Sequence, residues 1–173
     1  MLNLLVDTNI LMYYFVSNSR DRIYAYFTSS NKISLTSQCF AEFQKRIKLN
    51  HHTLASVKFS REILNSSFFN ILPSHIVTDH EVLNLIEKYS MLRSECSKSR
   101  RNRDLSITDS EQILIAKKFN LVLASNDGYV RACADSEGVI SYSPVSDLSL
   151  DIFTKQELKP FPENIEFFTN TIF

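Results

Sequence analysis

Glycine is nearly absent: Gly128 and Gly138 are the only two in 173 residues. A phosphate-cradling P-loop and a Gly-x-Gly-x-x-Gly dinucleotide turn each need several glycines close together, so both are excluded. The Gly-x-Ser-x-Gly nucleophile elbow is excluded on the same ground. Cysteine is scarce as well. Cys39, Cys96 and Cys133 are odd in number, widely spread and outside any Cys-x-x-Cys pair. That argues against a disulfide framework or a zinc ribbon and for a reducing compartment. No apolar run reaches the ~18 residues of a spanning helix, and the first residues lack a basic region followed by a cleavable apolar one. Neither sign of charge dominates: 19 Lys and Arg balance 19 Asp and Glu. Binding to nucleic acid would therefore have to come from a local patch. These absences point to a cytoplasmic protein without a membrane partner.

The remaining composition, 44% hydrophobic and 22% charged residues, is that of one ordinary domain large enough to bury a real core. Leu2 to Val6 is a short apolar run that stops at Asp7-Thr8-Asn9, which reads as a buried strand with polar residues at its carboxyl end. A helix over Ile10 to Phe15 is broken at Ser17-Asn18-Ser19 and resumes through Ile23, Tyr26 and Phe27. Ile33 to Thr36 alternates as a second strand, and Cys39, Phe43 and Ile47 mark one face of the helix after it, which carries Glu42. A further helix is expected between Leu54 and Leu64, then a strand over Phe68 to Leu72 stopped by Pro73. Thr78 with Glu81, and Thr108 with Glu111, have the spacing of capping boxes that open two helices. Asn120 is expected to be a left-handed cap ending the second of these. Leu121 to Ala124 is a buried strand leading into Ser125-Asn126-Asp127, a helix over Tyr129 to Ser136 ends at Gly138, and Val139 to Tyr142 is a last strand.

Strands alternate with helices along the whole chain, which implies right-handed crossovers. The fold class is α/β, a three-layer sandwich with a mainly parallel central sheet. In such sheets functional groups collect where strands end. Asp7 and Asp127 follow two of the best strands, while Glu42 and Asp109 lie early in helices expected at the same edge. Four carboxylates in one cleft repel one another unless a cation neutralises them. A hard divalent cation with oxygen ligands, magnesium or manganese, suits that set.

These residues resemble the motifs of the PIN-domain nucleases. Leu5-Val6-Asp7-Thr8-Asn9-Ile10-Leu11 is similar to the family's opening strand and turn, and Phe40-Ala41-Glu42-Phe43 to its second acidic position. Asp109-Ser110-Glu111-Gln112-Ile113-Leu114-Ile115-Ala116 resembles the third, and Leu123-Ala124-Ser125-Asn126-Asp127 the fourth. Asn120 stands where a glycine is usual and Ser125 where threonine is common, both mild departures. The resemblance covers 1–145, a PIN-like nuclease domain. It leaves 146–173 as an aromatic-rich extension, carrying Phe153, Phe161, Phe167, Phe168 and Phe173, that packs on the domain or on a partner.

The resemblance implies a metal-dependent endoribonuclease in which Asp7, Glu42, Asp109 and Asp127 are catalytic and hold magnesium or manganese. RNA would be cut to leave a 5′-phosphate and a 3′-hydroxyl. Many members are VapC-type toxins that act as homodimers and are silenced by an antitoxin peptide in the acidic cleft. Thr8, Asn9, Ser125 and Asn126 are candidates for hydrogen bonds that aim the carboxylates. Asp104 and Glu111 are nearby acids ranked below Asp109. Lys45, Arg46 and Lys48, with Lys98, Arg100, Arg101 and Arg103, are candidates for an RNA-binding patch. His51, His52, His75 and His80 lack metal-ligand spacing and read as solvated.

Each acid also has a purely structural reading. An aspartate after a strand is often a turn residue or a helix cap, and one in a first helical turn gains ~0.3–1 kcal/mol from the helix dipole without any catalysis. The alternative function is accordingly a non-catalytic RNA- or protein-binding module on a PIN-like fold. A phospho-acceptor receiver domain fits less well. It needs paired early acids and a late lysine, where this chain has Asn3 and Ser141.

Overall fold

The computed structural model describes residues 3–16, 32–49, 61, 64–65, 69–95 and 104–144. Within them five strands form one sheet: β1 (Asn3–Val6), β2 (Lys32–Thr36), β3 (Phe69–Leu72), β4 (Val122–Ala124) and β5 (Ser141–Tyr142). The helices are α1 (Thr8–Val16), α2 (Ser37–Leu49), α3 (Asp79–Glu95), α4 (Ile107–Phe119) and α5 (Gly128–Ser136), with a 3₁₀ turn at Ser74–Ile76. The sheet order is β3-β2-β1-β4-β5. Every pairing is parallel, with Leu4 opposite Ile33 on one side and Val122 on the other. The expected mainly parallel sheet is wholly parallel among the described residues.

The chain steps outward from β1 to β2 and β3, then returns to lay β4 on the other side of β1. Right-handed crossovers in opposite directions put helices on opposite faces. Helix α1 packs on α2, while α3 packs on α4 and α4 on α5. The middle strand is sealed from both sides: Leu4, Leu5 and Val6 are fully buried. Leu5 and Leu123 share a core with Val82, Leu85, Tyr89, Ile113 and Ala134 from the α3, α4 and α5 layer. Cys39 and Cys133 are buried free thiols.

Most element boundaries follow from caps. Helix α1 starts two residues before the expected Ile10, because the Asp7 carbonyl accepts the Ile10 and Leu11 amides at 3.0 and 3.3 Å. Strand β2 runs into α2 without a loop, since Thr36 Oγ1 accepts the Cys39 amide at 3.1 Å. The Thr78–Glu81 box forms as expected: Glu81 Oε2 accepts the Thr78 amide at 2.7 Å, and Thr78 Oγ1 accepts the Glu81 amide at 3.3 Å. Asn120 adopts the left-handed conformation, φ 51 and ψ 47.

The Thr108–Glu111 box does not form. Helix α4 is capped by Ser106, whose hydroxyl accepts the Asp109 amide while Asp109 accepts the Ser106 amide. The helix thus begins two residues earlier than the Thr108–Glu111 spacing suggests. Glu111 falls on a buried face instead, 1% exposed, and neither carboxylate oxygen has a hydrogen-bond partner. Burial alone pushes its carboxyl up to about 7. The last strand is shorter than expected, Ser141–Tyr142.

Several expectations fall outside the described residues: the helical stretch through Ile23, Tyr26 and Phe27, nearly all of the Leu54–Leu64 helix, the loop holding Lys98, Arg100, Arg101 and Arg103, and the 146–173 extension. His51, His52 and Cys96 lie outside them too.

Candidate active site

The reversal of strand order at β1 leaves a crevice at the carboxyl ends of β1 and β4, the place where open α/β sheets bind ligands. Asp7 is the residue after β1, and its amide donates to the Ala124 carbonyl at 3.0 Å, tying the two strand ends together. Asp127 lies three residues beyond β4 as the N-cap of α5. Glu42 arrives on α2 and Asp109 in the first turn of α4. All four acids line one cavity of about 430 Å³, together with Thr8, Asn9, Arg46, Ser106, Thr108, Asn126 and Gly128.

Asp7 is the most elaborately held. It is 5% exposed. Ser125 Oγ donates to its Oδ2 at 2.6 Å, and Asn9 Nδ2 donates to the same oxygen. Gln112 Nε2, reaching across from α4, donates to Oδ1 at 3.4 Å. Asn9 is itself fixed, because its Oδ1 accepts the Asn126 amide at 2.9 Å. Burial raises the Asp7 carboxyl to about 6; the Ser125 hydrogen bond works against that, and the charge of Asp109 adds to it. The same environment pushes the Cys39 thiol up to about 12, through burial first and the charge of Asp7 second.

The other acids are held by local bonds. Asp109 Oδ2 accepts from the Ser106 amide at 3.0 Å and the Ser106 hydroxyl at 2.7 Å. Asp127 Oδ1 accepts the Tyr129 and Val130 amides at 2.9 and 3.4 Å. So the capping role considered for Asp127 is real, and Asp109, expected only to gain from the helix dipole, completes a capping box. Glu42 accepts from Thr8 Oγ1 at 3.3 Å on Oε2 and pairs through Oε1 with Arg46, one helical turn along.

Of the residues expected to aim the carboxylates, Asn9 and Ser125 bond Asp7 directly and Thr8 bonds Glu42. Asn126 acts one step back: its amide reaches Asn9, and its side chain bonds Tyr13 and Ser143. Neither Asp104 nor Glu111 lines the cavity, nor does Lys45; Arg46 does. The described histidines, His75 and His80, are exposed and away from it. Gln112 was not among the expected site residues. It stands between Glu111 and the apolar run Ile113 to Ala116, and only the fold, which closes the 105 positions between it and Asp7, reveals the contact.

Among the described residues, no three acid, imidazole or thiol side chains are arranged as a ready-made metal cluster. The donor set nonetheless suits a hard cation, because the cavity's ionisable oxygens are all carboxylates. Burial and the neighbouring Asp109 make the Asp7 anion costly, a cost that a divalent ion offsets.

The fold is shared with several solved structures. FitAcB from Neisseria gonorrhoeae matches with a TM-score of 0.58 at 20% identity, over 82% of this chain and 97% of that one. The sarcin-ricin loop cleaving toxin VapC20 of Mycobacterium tuberculosis matches at 0.55 and 14% identity, over 75% of this chain and 93% of that one. A toxin-antitoxin complex from Klebsiella pneumoniae matches at 0.52 and 20% identity, over 82% and 97%. The chain therefore has the PIN-domain fold that its motifs resemble. No family model matches the sequence, and no curated protein does. Among the described residues no helix is long and apolar enough to cross a membrane.

Proposed function

We propose that this chain is a metal-dependent endoribonuclease, working as the toxin of a toxin–antitoxin pair. The observation that carries the reading is the arrival of Asp7, Glu42, Asp109 and Asp127 from four separate elements in one cleft at the strand switch. The likeness of the fold to a sarcin-ricin loop cleaving toxin and to a toxin-antitoxin complex supports it. Magnesium or manganese held by these carboxylates would supply Lewis-acid activation of water and offset charge on the phosphodiester.

The chain's own contribution is positioning. Ser125 and Asn9 saturate Asp7 Oδ2, which leaves Oδ1, reached by Gln112 at 3.4 Å, as the oxygen that would hold an ion. The caps on Asp109 and Asp127 hold each carboxylate to a helix start, where the helix dipole favours its negative charge. RNA is the substrate, met by Arg46 at the cleft and by Lys45 beside it, with Lys98, Arg100, Arg101 and Arg103 as further contacts. A homodimer in the cytoplasm, inhibited by an antitoxin occupying the acidic cleft, completes the reading.

Asp7→Asn tests it. Cleavage of single-stranded RNA in magnesium should fall by more than about 100-fold in this variant, the scale of losing a group that acts in the transition state. Activity retained in Asp7→Asn would reject the assignment. The rival reading, a non-catalytic binding module, draws on the cap bonds of Asp109 and Asp127, which explain two of the four acids without chemistry. It requires that RNA bind without any metal-dependent cleavage.

A further inference from the structure

Arg46 is the single cation among the described residues lining the cleft. Glu42 and Arg46 are four residues apart on α2, so they share a face of the helix, and the Arg46 guanidinium pairs with Glu42 Oε1. The pair is open to solvent: the Arg46 side chain is 49% exposed and that of Glu42 33%. Exposed pairs of this kind contribute little to stability and break readily. Thr8 holds the other Glu42 oxygen at 3.3 Å. Both oxygens of this acid are therefore engaged by protein groups, and one of the two partners is a cation.

We propose that Arg46 is a built-in counter-ion of the cleft, which neutralises Glu42 and competes with the divalent ion for it. This rests on the metal-site reading above and adds to it a device that sets how tightly the ion is held. Ion entry requires Glu42 to leave Arg46, and a positive charge beside the site opposes a second, doubly charged one. A unit charge about 6 Å from a divalent ion weakens its binding by about tenfold even at the dielectric of water. The weak exposed pair can yield to the ion, whereas a buried pair would block it.

Manganese binding to the metal-free protein, measured by calorimetry at low ionic strength, tests this. Arg46→Gln should bind manganese about 5- to 10-fold more tightly than the wild type. Arg46→Lys, which keeps the charge, should stay within about twofold of wild type. In a Glu42→Gln background, the gain from Arg46→Gln should shrink, since the competed ligand is gone. Unchanged or weaker binding by Arg46→Gln, with normal binding by the wild type, would overturn the counter-ion role and leave the metal site standing. No manganese binding by the wild type would overturn both. Arg46 is an exposed helix residue, and a melting curve on each variant checks that it is folded.

Discussion

Asp7 accepts three side-chain hydrogen bonds, and they come from three different parts of the chain: Asn9 beside it, Gln112 on α4 and Ser125 after β4. Such bonds aim a ligating carboxylate, and losing one typically costs 10- to 100-fold in metal affinity or activity. Gln112 is the most revealing of the three because it is fully buried, yet its Oε1 has no partner. Its amide nitrogen serves Asp7 and the Cys39 sulfur, at 3.4 and 2.7 Å, while its oxygen is a cost to the fold. Gln112→Leu should therefore cut RNA cleavage by about tenfold and leave unfolding free energy within about 1 kcal/mol of wild type. Paired kinetic and denaturant measurements separate the two effects. A loss of stability larger than that would make Gln112 a structural residue.

At the scale of elements, helix α4 joins the core to the cleft. Its start is set by Ser106 and Asp109, so Ser106→Ala should lower stability by about 1 kcal/mol, read from the urea midpoint. The same variant should reduce cleavage, because it removes the Ser106 hydroxyl that holds Asp109 Oδ2 at 2.7 Å. Two residues on, Glu111 has the opposite sign. Its buried oxygens lack partners, so Glu111→Met should raise the unfolding free energy at pH 8 by about 1–3 kcal/mol. The Thr108–Glu111 spacing had suggested a cap because Thr-x-x-Glu fits the motif as well as Ser106-x-x-Asp109 does. Local spacing cannot rank two overlapping caps; the burial of Glu111 against the layer of helices decides between them.

Across the whole molecule, Glu137 ties three helices together. It accepts from Lys88 Nζ at 2.5 Å, Lys117 Nζ at 2.8 Å and Tyr89 OH at 3.0 Å, joining α3 and α4 to the end of α5. Burial alone would raise its carboxyl, but the bonds from Lys117, Lys88 and Tyr89 prevail and bring it down to about 2. A carboxyl with a depressed folded pKa stabilises the fold above its ordinary value of 4.5 and loses that contribution as pH falls toward 2. Glu137→Gln should then cost about 2 kcal/mol at pH 7, and the gap to wild type should narrow steadily between pH 4.5 and 2. A gap that stays constant with pH would show that packing, and not charge, is responsible. Metal linkage acts at the same scale. Magnesium or manganese should raise the melting temperature over EDTA, and Asp127→Asn should remove that rise; no rise in the wild type would favour the binding-module reading.

The described strands and helices, and the positions of four acids along them, are legible in the sequence because each depends on neighbours within a few positions. Apolar runs end at Asp7 and Asp127, helical spacing places Glu42, and Asn120 takes the left-handed cap that its side chain tolerates. Sheet order is different in kind. That β4 lies against β1 follows from the return crossover, and this pairing alone brings Ser125 and Asp127 beside Asp7. Gln112 on Asp7, the placing of Arg46 in the cleft, and the orphaned Glu111 likewise emerge only once helices are packed on the sheet. Local backbone preferences and periodicity are written along the chain, whereas which buried polar atoms meet is set by how the layers close over one another, and no run of adjacent residues contains that.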